Sequence, residues 1–303
     1  MLPTDLLGAR VQIGDAPMPD PVPADAIVRG GQRVRIVATR DVAHLMFVGA
    51  GLVRVDCGGR RVTIEPEARV DWGIMGVWLY SLVVAFVGAQ QGRFALHANV
   101  VAVGDALVAV AGRSGAGKST TSLGLVCRGA RLVADDVAML EPPGAGVDAI
   151  VEPFGRGVHL WPETARALGI DVSGARRVPS NTEKLQLAAP DARLGRLDAV
   201  AILSRDDHVE QVEVTPLLGP DAVSVIAANI SKRRLLVELW HDEMFAWAGA
   251  LADRVTVCEV LRPRDGWTLD AVLDEIEDLA SRVTVRSARD RQGRSPESFR
   301  ASA

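Results

Sequence analysis

Residues Gly112 to Ser119 read G-R-S-G-A-G-K-S and fit the pattern G-x-x-x-x-G-K-[ST] at every position. The run constrains the fold because its chemistry needs a strand before it and a helix after it. Its glycines let successive backbone N–H groups turn inward around phosphate oxygens. Lys118 brings a point charge to them, and Ser119 offers a hydroxyl to a magnesium ion. Both flanks fit. Ala106 to Ala111 reads A-L-V-A-V-A, an apolar run suited to a strand buried on both faces, and Ser119 to Cys127 carries Thr, Leu and Val at helical spacing before Gly129. The expected ligand is ATP with Mg²⁺, held by Gly112, Arg113, Ser114, Gly115, Ala116, Gly117, Lys118, Ser119 and Thr120.

The rest of the chain restricts the partners. Its 303 residues carry 34 basic and 38 acidic side chains, a net charge of −4, so nothing global points to nucleic acid or an anionic membrane. Cys57, Cys127 and Cys258 are far apart with no C-x-x-C pair, which fits neither a disulfide framework nor a zinc site. No apolar h-region lies in Met1 to Arg10, and the expected setting is the cytoplasm. Trp72 to Gly92 holds no charged residue, but its strongly apolar part, Ile74 to Ala89, is short for a membrane span. Strand-like sequence follows it, with no basic anchor cluster, so a buried helix and no membrane contact are expected.

Four stretches follow from the patterning. Residues 1–30, with Pro17, Pro19, Pro21 and Pro23 alternating, read as an extended segment. Residues 31–92 read as a small antiparallel β subdomain, with runs such as V-R-I-V-A-T and L-V-R-V-D between glycine turns, followed by the apolar helix. Residues 93–280 form the core that carries the loop. There Arg93 to Val103 and Ala106 to Ala111 predict a hairpin turning at Gly104-Asp105, so the loop is delivered by an antiparallel pair and the sheet is mixed. Residues 281–303, rich in arginine and without apolar period, read as a disordered tail. The fold class expected is α/β, a mixed central sheet with a phosphate loop, preceded by the small β subdomain.

Two features around the loop bear on chemistry. Asp135 and Asp136 follow the apolar run Leu132-Val133-Ala134, 17 residues beyond Lys118. Carboxylates at the C-terminal end of a buried strand lie beside such a loop in an open α/β sheet, where one can hold Mg²⁺ while the other accepts a proton from an attacking hydroxyl. His97, in F-A-L-H-A-N, precedes the hairpin and lies on the strand next to the loop. The cations Arg176, Arg177 and Lys184 fall in a polar segment that could cover phosphates or stay solvated.

The combination L-H-A-N-V-V-A-V-G-D-A-L-V-A-V-A-G-R-S-G-A-G-K-S-T, followed by G-A-R-L-V-A-D-D-V, resembles the catalytic core of the HPr serine kinase family, whose wider fold is shared with phosphoenolpyruvate carboxykinases. The resemblance is tight over His97 to Leu140 and loose elsewhere. It implies ATP-dependent transfer of a phosphoryl group to a serine hydroxyl, with His97, Lys118, Asp135 and Asp136 catalytic and Asp135 as the base. It also implies Mg²⁺ at Ser119, Asp136 and Glu152. The chain departs from the bifunctional members at their E-I-R-G-L-G signature, where it has V-E-P-F-G-R-G with Glu152 and Arg156 as loose counterparts. Residues before 95 do not resemble those enzymes' regulatory domain. They look more like kinases of peptide-modification clusters, including those that phosphorylate the C-terminal serine of lasso-peptide precursors. The implied partner is a peptide or protein hydroxyl acceptor, with homo-oligomerisation left open. An HPr-type protein serine kinase, a small-metabolite kinase and a phosphate-loop ATPase or switch are the alternatives.

Overall fold

The computed structural model of the chain describes residues 3–141, 149–152, 158–160, 162–177, 185–187 and 195–293. Within them β1 (Asp5–Leu6), β2 (Ala9–Ile13), β3 (Ile27–Gly30), β4 (Val34–Ala38), β5 (Ala43–Phe47), β6 (Gly51–Asp56) and β7 (Arg61–Pro66) form one sheet, ordered β1-β2-β7-β6-β5-β4-β3. Strands β4 to β7 are the expected antiparallel meander. Their alternation points Ala43, Leu45, Phe47, Val53 and Val55 into the core.

Two expectations need correction here. The sheet is mixed, because β2 runs parallel to β7 with Val11 opposite Val62 and Ile13 opposite Ile64. Residues 1–30 are also not a loose extended segment, since they supply β1 and β2, added in turn beyond β7, and β3 at the opposite edge. The physical reason is the free edge of β7, whose N–H and C=O groups β2 satisfies.

The apolar stretch is one helical run: α1 (Trp72–Trp78), a π-helical turn (Leu79–Val83) and α2 (Val84–Gln90). Asp71 starts it, its Oδ1 accepting from the N–H groups of Gly73 at 2.8 Å and Ile74 at 3.2 Å. The run is long and apolar enough to cross a membrane, yet most of it is buried within the protein. Val83, Val84, Phe86 and Val87 join the core shared with the first sheet.

The second sheet carries the loop. Its first strands in the chain are β8 (Ala95–Leu96), β9 (Ala98–Val103) and β10 (Ala106–Gly112). The helix α3 (Lys118–Cys127) follows, then β11 (Arg131–Ala134), β12 (Ala138–Leu140) and β13 (Ile150–Glu152). A separate small sheet, β14-β16-β15, comprises β14 (Val158–Leu160), β15 (Arg176–Arg177) and β16 (Leu185–Leu187), with α4 (Pro162–Ala167) between the first two. The chain then forms β17 (Gly195–Asp206), β18 (Glu213–Leu217), α5 (Gly219–Ala228), α6 (Arg233–Ala252), β19 (Thr256–Pro263) and α7 (Leu269–Gly293).

Strands run β11-β9-β10-β17-β19-β18 across the sheet, while the start of β17 also pairs with β13 and, through it, with β12 and β8. The β9–β10 hairpin is antiparallel and β10, β17 and β19 are parallel, so the sheet is mixed as expected. Strand β10 is buried on both faces. Leu107, Ala109 and Ala111 enter the core shared with the first sheet, and Ala106, Val108 and Val110 enter the core under α3 and α7.

Helix α7 corrects the reading of residues 281–303 as a disordered tail. It continues through Ser281 to Gly293, because the apolar series Val272, Leu273, Ile276, Leu279, Ala280 and Val283 keeps a helical period past that point and is buried. Arg128, at the end of α3, fastens it by donating to Asp270, Asp274 and Glu277 on one face of α7, at 3.0, 2.6 and 3.1 Å. Residues 294–303 lie outside the described residues.

Candidate functional site

Strand β10 ends in Gly112, whose φ of 138° is open to glycine alone; a Cβ there would fall 2.5 Å from the Leu203 carbonyl oxygen on β17. The chain then folds into a crown. The Ala116 N–H donates to Arg113 O at 3.0 Å, Arg113, Ser114 and Gly115 are exposed, and Gly117 at φ 104° leads into α3. No acidic residue lies in the first turn of α3, so its N–H groups and dipole face outward without a carboxylate of their own. Lys118 is only 8% exposed, and its Nζ donates back to Gly112 O at 2.8 Å and Arg113 O at 3.4 Å. The ammonium is thus held at the root of the loop, where the pattern requires it. Ser119 and Thr120 follow in the first turn, half-buried.

The paired acids stand at the end of β11. Both β10 and β11 are antiparallel to β9, so they run the same way and their C-terminal ends share one edge of the sheet. Asp135 is half-buried there and Asp136 is exposed. Asp136 has φ 64°, and the Val137 N–H donates to Asp135 O at 2.7 Å, closing a three-residue turn around it. Such a turn is strained, by about 1–3 kcal/mol, and persists only where its surroundings hold it.

Two groups on β9 and before it do so. Asn99, 1% exposed, accepts the Asp136 N–H at 2.9 Å through Oδ1. His97 Nδ1 lies 3.0 Å from Asp136 O and 3.3 Å from its Oδ1. A carbonyl can only accept, so Nδ1 carries the proton and a neutral His97 keeps its lone pair on Nε2. The side chains of His97 and Asp136 are 36% and 56% exposed, within reach of solutes.

A third residue joins this pair to the loop. Asn229, at the end of α5, accepts the Gly112 N–H at 3.1 Å through Oδ1, donates through Nδ2 to Val225 O at 2.8 Å, and accepts the His97 N–H on its carbonyl at 2.8 Å. Its side chain and main chain therefore set the spacing between the loop and His97. The described part of the site gathers the loop, Lys118, His97, Asp135 and Asp136 on one sheet edge, the place where open α/β sheets bind ligands.

Other expected residues fare differently. The Glu152 backbone pairs with Met139 in β13, but its side chain is outside the described residues. Arg156 and Lys184 lie outside them altogether, and for Arg176 and Arg177 only the backbone, in β15, is described. Among the described residues no group of three or more His, Cys, Asp or Glu could enclose a metal. A magnesium ion fits this edge as one held mainly by phosphate oxygens with one or two protein ligands, which is its usual mode beside a nucleotide.

Arg262 on β19 is a further neighbour of the loop. Its Nη2 donates to Ala116 O at 2.9 Å, and a Cβ on Gly117 would lie 2.9 Å from that nitrogen. Burial, with Arg205 alongside in register, lowers its affinity for its proton. No motif marks Asn229 or Arg262, and Asn99 stands within the L-H-A-N-V-V run without a role that the run itself announces. They are single residues, and Asn229 and Arg262 lie more than a hundred positions from the loop, brought to it by β17–β19 pairing and the α5 terminus.

No protein-family model matches this chain, and no curated protein matches it. Among solved structures, the Hpr(Ser) kinase/phosphatase from Coxiella burnetii is similar at 14% identity and a TM-score of 0.35, over 66% of this chain and 96% of that one.

Proposed function

We propose that the chain is an ATP-dependent kinase that transfers a phosphoryl group to a hydroxyl, most simply a serine of a peptide or protein, such as the C-terminal serine of a lasso-type precursor. One observation carries the reading: a phosphate-loop pattern and an acid pair held in a strained turn share one sheet edge, tied together through Asn229, His97 and Asn99. Binding alone needs one acid for magnesium, and a second beside it is free to serve as a base. Lys118, the loop N–H groups and Ser119 would hold the triphosphate, and Ser119 with Asp136 would hold magnesium. The nucleotide, when bound, supplies the phosphoryl group.

The chain's own residues do the rest. Asp135 takes the proton as the acceptor oxygen forms its bond to phosphorus, and the bond to the leaving diphosphate breaks with its electron pair going to the diphosphate. His97 orients Asp136. Lys118 spreads its charge over the transferring group. Incubation with γ-labelled ATP, magnesium and serine-bearing peptides tests this by the fate of the label. The expected result is label on peptide hydroxyls, lost in Lys118→Ala; label released only to water makes the chain an ATPase and sinks the kinase reading.

A further inference from the structure

Among the described residues Arg262 has no carboxylate beside it, although three features of its place disfavour a positive charge. It is half-buried, which costs a cation its hydration. Arg205 stands opposite it in the β17–β19 register and repels it. Its guanidinium also lies against Gly117, at the N-terminus of the ten-residue helix α3, where the helix dipole presents its positive end. Among the described residues its hydrogen bond is to the Ala116 carbonyl, and no ion pair includes it. A guanidinium has five N–H donors, so most of its donor capacity is uncommitted there.

A chain selected only for stability would place an acid or a neutral side chain at this point. An uncompensated cation against an anion-binding loop makes sense when an anion completes it. We infer that Arg262 is a phosphate-binding residue of this loop, contributing its charge to a bound polyphosphate while its bond to Ala116 O fixes the crown. The inference rests on the kinase reading's nucleotide site, and it adds a cation that the G-x-x-x-x-G-K-S pattern does not contain. Its consequence is a preference for polyphosphates of high charge, since two cations address one anion.

The competing role is a purely mechanical one, in which Arg262 merely holds Ala116 O. Two substitutions separate the roles. Arg262→Gln keeps a donor for Ala116 O and removes the charge, whereas Arg262→Lys keeps the charge and gives up the fork. Titration calorimetry of the full chain with MgATP, and separately with inorganic triphosphate, reads the affinities, and thermal unfolding without ligand reads the fold.

For Arg262→Gln the expected loss of affinity is roughly tenfold to a hundredfold, equal for both probes, with an unliganded Tm no lower than wild type. For Arg262→Lys most of the affinity is retained, and the salt dependence of binding stays steeper than in Arg262→Gln. Affinity of Arg262→Gln within about twofold of wild type overturns the inference, as does an equal loss in both variants accompanied by a lowered Tm. Wild type that binds neither probe overturns the nucleotide site itself, and with it this residue's role, a result distinct from the other two.

Discussion

Asn99→Ala should separate the catalytic geometry from the stability of the fold. Asn99 is buried in β9 with two polar ends: Oδ1 accepts the Asp136 N–H at 2.9 Å, and Nδ2 has no hydrogen-bond partner among the described residues. Loss of the accepted bond costs about 1 kcal/mol net, but removal of a buried unpaired donor returns about 1–3 kcal/mol of desolvation. The two offset to a net change between zero and a gain of about 2 kcal/mol in unfolding free energy, a rise in Tm of only a few degrees for a chain of this size. The turn at Asp136 feels a different balance. It is strained by about 1–3 kcal/mol, and Asn99 is one of two side chains that hold it. Without that bond the turn relaxes, and the fraction of molecules with the acid pair in place falls by roughly fivefold, the factor that corresponds to about 1 kcal/mol. Urea unfolding and steady-state transfer, measured on the same preparation, check both halves. A large loss of stability with an unchanged kcat would falsify this account of Asn99 and make it an ordinary core residue.

Two further outcomes follow from particular positions. Gly112→Ala should lower stability by about 2–5 kcal/mol in urea unfolding, because a forbidden φ and a 2.5 Å clash with the Leu203 backbone combine. Gly115→Ala, also at positive φ but with nothing within 4 Å, should cost about 1 kcal/mol; equal costs would contradict the packing argument. Asp56 contributes to the acid limb: burial alone would raise its pKa, but hydrogen bonds from Arg61 and Arg54 hold it at about 2. A folded pKa below the ordinary carboxylate value gives stability that is present above about pH 4 and disappears as pH falls through about 2. It amounts to about 2 kcal/mol for a side chain only 6% exposed. Asp56→Asn should flatten that limb in urea midpoints measured from pH 5 to pH 2, and an unaltered profile contradicts the assignment.

Legibility in the sequence varied with the range of the interaction that decides each element. The loop and its flanks were legible because their signals are local: glycines for the turn, an apolar strand before it and helical spacing after it. The meander from Val34 to Pro66 was legible for the same reason, alternation between short turns. The N-terminal strands were not, since β1 has two residues and β2 has five, and what makes them strands is the free edge of β7 some fifty positions on. In α7 the many charges obscured a buried series that ends at Val283. His97 and the two acids stood out as chemistry-bearing types in apolar surroundings. That His97 meets Asp136, and that Asn99 and Asn229 brace the arrangement, depends on strand register and a distant helix end that no local pattern encodes.

The most direct test of the central claim is the mass of a serine-bearing peptide after incubation with MgATP and either wild type or Asp135→Asn, with nucleotide affinity measured in parallel. The account predicts a single added phosphate on serine with wild type. It predicts at least a hundredfold slower appearance with Asp135→Asn, roughly the contribution of a general base, at an affinity for MgATP that does not fall. Phosphopeptide formed at equal rates by both proteins, or by neither while ATP is hydrolysed by both, contradicts it.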